Sequence, residues 1–183
     1  MFELHITFDC MNYASFAGIL NTLRVEGLFV ENLTGTHNYQ MLFSYRNQSY
    51  KKIGEMITSA KILSESTRIP ILRNKIEIPF DAREKFEYDE FHVKLFAPRS
   101  HDTQILKFCE SNHLACGWDL NQSNQQNRKW FITSRDYNKA PNVEYIFKSM
   151  IKKIEATFGN LVTGSVMETC IHDDNPAIDE GWQ

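Results

Sequence analysis

Apolar and polar residues alternate strictly over the first nine positions: Phe2, Leu4, Ile6 and Phe8 share one parity, Glu3, His5, Thr7 and Asp9 the other. A period of two predicts a half-buried strand. Asn12 is placed to cap the next segment, where Phe16, Ile19, Leu20 and Leu23 recur at helical spacing and Gly27 offers a stop. Leu28-Phe29-Val30 predicts a short strand, Asn32 to Thr36 a turn, and residues 40–47 another strand. Ile53, Met56, Ile57 and Ala60 mark a helix that begins at Ser49 and ends before Pro70. Ile71 to Phe80 then reads as a strand with Pro79 at its end.

From Glu90 the order restarts. Phe91 to Ala97 predicts a strand, Asp102 to His113 a helix, and Leu114 to Leu120 and Lys129 to Arg135 two strands joined by the polar run Asn121 to Asn127, a hairpin loop or flap. The strongest helical stripe follows Pro141, with Ile146, Phe147, Met150, Ile151, Ile154 and Phe158, and Leu161 to His172 closes the pattern as a strand. Three correspondences link the halves. His5 and His92 lie 87 positions apart, Arg46 and Arg135 89, and Glu77 and Glu168 91. A slowly drifting offset is what two diverged copies of one unit would leave.

The expected fold is therefore α+β: two tandem ferredoxin-like βαββαβ units in one compact body, residues 1–80 and 90–172, with a charged linker at 81–89 and an acidic tail at 173–183. Helices would cover the apolar face of each sheet. The polar faces would close on each other as a saddle, cleft or barrel around a shared polar cavity.

Composition narrows the function classes. The 183 residues are 42% hydrophobic and 23% charged, with a formal net charge of −3, so non-specific binding to a duplex phosphate backbone is not expected. Cys10, Cys109, Cys116 and Cys170 form no CxxC pair or zinc spacing, and no metal or cofactor is expected. No stretch reaches the roughly 18 apolar residues of a membrane span, and no secretory signal is visible. The expected setting is cytoplasmic, with free thiols.

In the doubled arrangement His5, Thr7, Arg46 and Glu77 come from one unit and His92, Lys94, Arg135 and Glu168 from the other, with His172 reckoned to point the same way. Guanidinium forks bind phosphate or carboxylate, imidazoles move protons near neutrality, and carboxylates orient both. Arg46 and Arg135 would clamp a small anionic ligand, His5 and His92 would be the catalytic proton donors or acceptors, and Glu77 and Glu168 would orient them. Polar strand faces are also ordinary solvated surface. The alternative is a non-catalytic module that recruits a protein through sheet edges or the C-terminal tail.

Two family resemblances enter on particular residues. His5-Ile6-Thr7 is similar to the His-x-Thr/Ser strand motif of two-histidine phosphoesterases, which implies metal-independent phosphodiester hydrolysis. The second copy departs from it, reading His92-Val93-Lys94 with no hydroxyl, and the first lies too near the start of the chain for the strand and helix that precede it in that family. Glu168-x4-Asp173-x-Asn175-x3-Asp179-x-Gly181-Trp182 resembles the C-terminal signature of a widespread uncharacterised bacterial family over residues 90–183, and implies no activity. The polar-lined doubled sheet also looks like the triphosphate-tunnel enzymes in outline, but Glu3-Leu4-His5-Ile6-Thr7 lacks their Glu-x-Glu-x-Lys strand.

Overall fold

A computed structural model describes residues 1–9, 12–33, 39–80 and 87–179. Cys10, the turn residues 34–36, most of the expected linker (81–86) and Trp182 lie outside them. The described chain runs β1 (Phe2–Phe8), α1 (Tyr13–Leu23), β2 (Gly27–Asn32), β3 (Tyr39–Asn47), α2 (Tyr50–Thr67) and β4 (Ile71–Pro79). It continues β5 (Tyr88–Pro98), α3 (Asp102–Ser111), β6 (Ala115–Asp119), β7 (Asn127–Asp136), α4 (Val143–Phe158) and β8 (Val162–Asp173). A short 3-10 turn, Pro176–Asp179, follows.

All eight strands form one closed antiparallel barrel in the ring order β1-β3-β2-β6-β7-β5-β8-β4. This corrects the expectation of two tandem ferredoxin-like units. The two halves do not carry separate sheets that face each other; β2 pairs with β6 and β4 pairs with β8, so the backbone ladder runs unbroken from one half into the other. Each of the eight described strands is paired on both sides in this ring, so none of them offers a free edge.

The alternation in β1 explains why the barrel is polar inside and clothed by helices outside. Leu4, Ile6 and Phe8 are buried in an apolar layer with Phe43 and Ile76, packed against Phe16 and Ile19 of α1 and Ile53 and Ala60 of α2. A second layer joins Val93, Leu95, Trp130 and Ile132 to Ile105 and Cys109 of α3 and to Phe147, Ile154 and Phe158 of α4. Each valine, leucine, isoleucine or phenylalanine side chain taken fully from water contributes about 1.5–3 kcal/mol. With apolar surface committed to the two outer layers, the other strand parity is free to be hydrophilic.

Local signals act mostly as read. Asn12 caps α1, its Oδ1 accepting from the Ala14 amide at 2.8 Å. Gly27 is not the helix stop. Arg24 ends α1 in the left-handed region at φ 55, and Gly27 opens β2 where a Cβ would lie 2.5 Å from Leu20 Cδ1. The polar run 121–127 is a hairpin loop pinned by Ser123, whose hydroxyl donates to Asp119 O at 2.5 Å and accepts from the Lys129 amide at 3.2 Å. No helix among the described residues is long and apolar enough to cross a membrane.

Candidate functional site

The barrel encloses a cavity of about 170 Å³, enough for several waters or part of a small organic ligand. Strand register sets its charged wall. Glu3 lies opposite Arg46 on β3 and Glu77 on β4, and His5 lies opposite Ser44 and Lys75. In the other half Glu90 lies opposite Arg135 and Glu168, and His92 opposite Thr133 and Val166. Each half thus presents a Glu-x-His strand flanked by an arginine, a hydroxyl and a second glutamate.

The two imidazoles are held in the same manner. His5 Nδ1 meets Ser44 Oγ at 2.9 Å while its Nε2 lies 2.6 Å from Glu77. His92 Nδ1 meets Thr133 Oγ1 at 2.7 Å while its Nε2 lies 3.1 Å from Glu90 and 3.9 Å from Glu168. Burial opposes charge on His92, but the Glu90 carboxylate outweighs it and raises the imidazole pKa above its ordinary value.

Lys75 joins the halves. Its Nζ lies 2.6 Å from Glu77 and is also ion-paired to Glu90, whose other oxygen accepts from Arg135 Nε at 2.7 Å. Burial alone would raise the Glu90 pKa, yet Lys75, Arg135 and His92 together hold it well below the usual carboxylate range. Glu168 has the opposite balance. Burial, then repulsion from Glu77, pushes it up to about 7, against the pull of His92. A carboxyl that exchanges its proton near neutrality, beside an imidazole, is equipped for proton transfer.

The sequence-selected residues divide into three groups. His5, Thr7, Arg46, Lys94, His92, Arg135 and Glu168 all line the cavity, and Glu77 stands behind His5 and Lys75. Arg46 and Arg135 are not an open clamp. Arg46 stands at the rim, its side chain 63% exposed and its Nε 2.6 Å from Glu3, while Arg135 is held by Glu90 beneath the Tyr88 ring. His172 lies outside the cavity. The β4–β8 register slips between Ile76 and Glu77, so Glu77 faces Cys170 but Ile76 faces His172, which is exposed. A one-residue bulge reverses parity beyond it.

The phosphoesterase-like reading is corrected by the same geometry. Lys94 occupies the place where a second hydroxyl would serve the phosphate, and each imidazole that would flank a phosphodiester already faces carboxylates, Glu3 and Glu77 for His5 and Glu90 and Glu168 for His92.

Glu3, Glu90, Lys75, Ser44 and Thr133 were not selected from the sequence. Their signal was strand parity, since Glu3 and Glu90 sit two residues before the histidines and Lys75 two before Glu77. The tail residues tie the chain end to β4. Asp173 accepts from Arg73 Nε at 2.9 Å and from the Tyr88 hydroxyl at 2.8 Å, and Asp174 accepts from the Asn74 amide at 2.7 Å. Asn175 Nδ2 donates to Leu72 O at 2.8 Å.

Among the described residues Glu77, Glu90, His92 and Glu168 place potential ligand atoms within 4.8 Å of one another. The Lys75 ammonium already pairs with two of these carboxylates, so the cluster is compensated by a side-chain cation.

No protein-family model matches the chain, and no curated protein matches it. Among solved structures the chain is similar to the siroheme decarboxylase NirDL at 8% identity and a TM-score of 0.35, over 94% of this chain and 72% of that one. It is also similar to a candidate monooxygenase from Lactobacillus acidophilus at 9% identity and a TM-score of 0.33, over 93% and 92%. A candidate monooxygenase from Fusobacterium nucleatum matches at 11% identity and a TM-score of 0.33, over 100% and 95%. Likeness at these scores says nothing of chemistry.

Proposed function

We propose that the barrel interior is a binding chamber for a small anionic ligand. The observation that carries this reading is Lys94. Its side chain lines the cavity, yet its ammonium has no ion-pair or hydrogen-bond partner among the described residues, while Arg46, Lys75, Arg73 and Arg135 each hold a carboxylate. The Glu3 carboxylate feels the Lys94 charge but is itself ion-paired to Arg46, so a half-buried ammonium with no contacting counter-ion favours an anion that supplies one.

The charged wall supports the same sign. Glu168 carries its proton for part of the time near neutrality and His92 gains one more readily than an ordinary imidazole, so both reduce the negative charge facing a guest. A specific ligand in excess stabilises the folded state by RT ln(1 + [L]/Kd). Thermal melts with carboxylates and inorganic phosphate at pH 6 and pH 8.5 test the reading. Stabilisation greater at pH 6, and lost in Lys94→Met, is the expected result; no stabilisation by any anion at millimolar concentration refutes it.

A further inference from the structure

Resting on the chamber reading, we infer that the ligand is an amphipathic monoanion, an apolar body with one acidic head, the head at Lys94 and the body along the apolar residues of β2, β3 and β7. In the eight-strand ring β2 stands opposite β8 and β3 opposite β5. Leu28 and Val30 of β2 and Leu42 of β3 line the cavity beside the polar Asn32, Gln40 and Ser44 of the same strands, so an apolar patch confronts the strands that carry Glu168 and Lys94. Beyond Cys116 and Gly117 of the intervening β6, Phe131 of β7 adds apolar surface beside Lys94, because it is the direct cross-strand partner of Lys94 and also lines the cavity.

The two walls differ in what they can hold. A wholly hydrophilic anion such as phosphate would leave Leu28, Val30, Leu42 and Phe131 facing water and would gain nothing from them. An apolar body of modest length displaces that water, and a volume of about 170 Å³ accommodates a short chain or a single ring. A second negative charge on the ligand has no further unpaired lysine or arginine to meet among the described residues that line the cavity. It would instead approach Glu3 or Glu168, which line the same cavity.

Calorimetric titration of the full chain at pH 6.5 with hexanoate, phenylacetate, acetate, inorganic phosphate, adipate and 1-hexanol tests this. Hexanoate and phenylacetate are expected to bind at least about tenfold more tightly than each of the other four. Lys94→Met and Lys94→Gln should each erase the preference for hexanoate over hexanol. Leu42→Gln should erase the preference for hexanoate over acetate, with circular dichroism confirming that each variant folds. Phosphate or adipate binding as tightly as hexanoate would overturn the amphipathic assignment and leave the anion chamber intact. Hexanol binding as tightly as hexanoate would overturn both, as would silence from all six probes.

Discussion

Lys75 of β4 is ion-paired to Glu90 of β5 across the intervening strand β8, so one buried contact ties the two halves of the chain together inside the barrel. Both groups are almost wholly removed from water, with side chains 7% and 0% exposed. Burial opposes the charge on Lys75, but Glu77 and Glu90 outweigh it and its pKa is raised, while that of Glu90 is depressed.

Lys75→Met therefore leaves two buried carboxylates short of their shared cation. The expected loss is about 3–5 kcal/mol at neutral pH, read by urea denaturation. The sign follows from linkage. A depressed acid contributes above its ordinary value of 4.5 and loses that contribution as pH falls through its folded pKa. A raised lysine contributes below 10.5 and loses it as pH rises through its folded pKa. The deficit should be greatest between those two values and shrink at acid pH. A uniform deficit at every pH would mean that packing, not charge, is what the substitution removed.

Glu168→Gln should act in the opposite direction. The folded pKa of Glu168 is about 7 against an ordinary 4.5, so the folded state binds the extra proton between those values and stability falls as pH rises through them. Glutamine removes that fall. The variant should match the wild type near pH 4.5 and exceed it by on the order of 2 kcal/mol at pH 8. Equal stabilities at pH 8 would show that the Glu168 carboxylate ionises in the fold as easily as in water.

His92 reports the same field from the other side. Its raised folded pKa means that it stabilises the protein below the ordinary histidine value of 6.5, and that this contribution is lost as pH rises through the folded value. Proton NMR titration, with the signal assigned through His92→Gln, should give a midpoint above 6.5 in the wild type and a lower one in Glu90→Gln. An unchanged midpoint would remove Glu90 as the cause.

Strand parity was the legible part of the site. The alternation that put Phe2 to Phe8 in register also put His5 and Thr7 into the cavity, and the same reasoning held for His92, Lys94, Arg46, Arg135 and Glu168. It failed at His172 because a bulge is a backbone event with no side-chain period to announce it. A barrel was among the expected arrangements, but the fusion of both halves into one continuous ring was unreadable for a related reason. The β2–β6 and β4–β8 ladders are made of amide and carbonyl groups that every sequence carries, so a free edge and a paired one look alike in the residues. Pairing partners inside the cavity were equally hidden. Nothing in the sequence says that Lys75 pairs with Glu90 and Lys94 with no carboxylate; side-chain reach across a closed ring decides that.

The β2–β6 seam supplies the last prediction. Gly117 of β6 is paired with Asn32 of β2, and a Cβ there would lie 2.6 Å from the Glu31 carbonyl oxygen and 3.2 Å from Asn32 Cα. Both obstacles are backbone, so the seam itself must part to admit a methyl group. Gly117→Ala should cost about 1–3 kcal/mol, seen as a lowered Tm. Gly54 offers the matched control, since it sits inside α2 with nothing within 4 Å of an added Cβ. There the same substitution only restricts the unfolded chain and favours the helix, for a gain of about 0.5–1 kcal/mol. Opposite shifts for the two alanines would place the constraint at the seam where the halves join; a Gly117→Ala protein as stable as the wild type would mean that β2 and β6 do not approach as closely as the register requires.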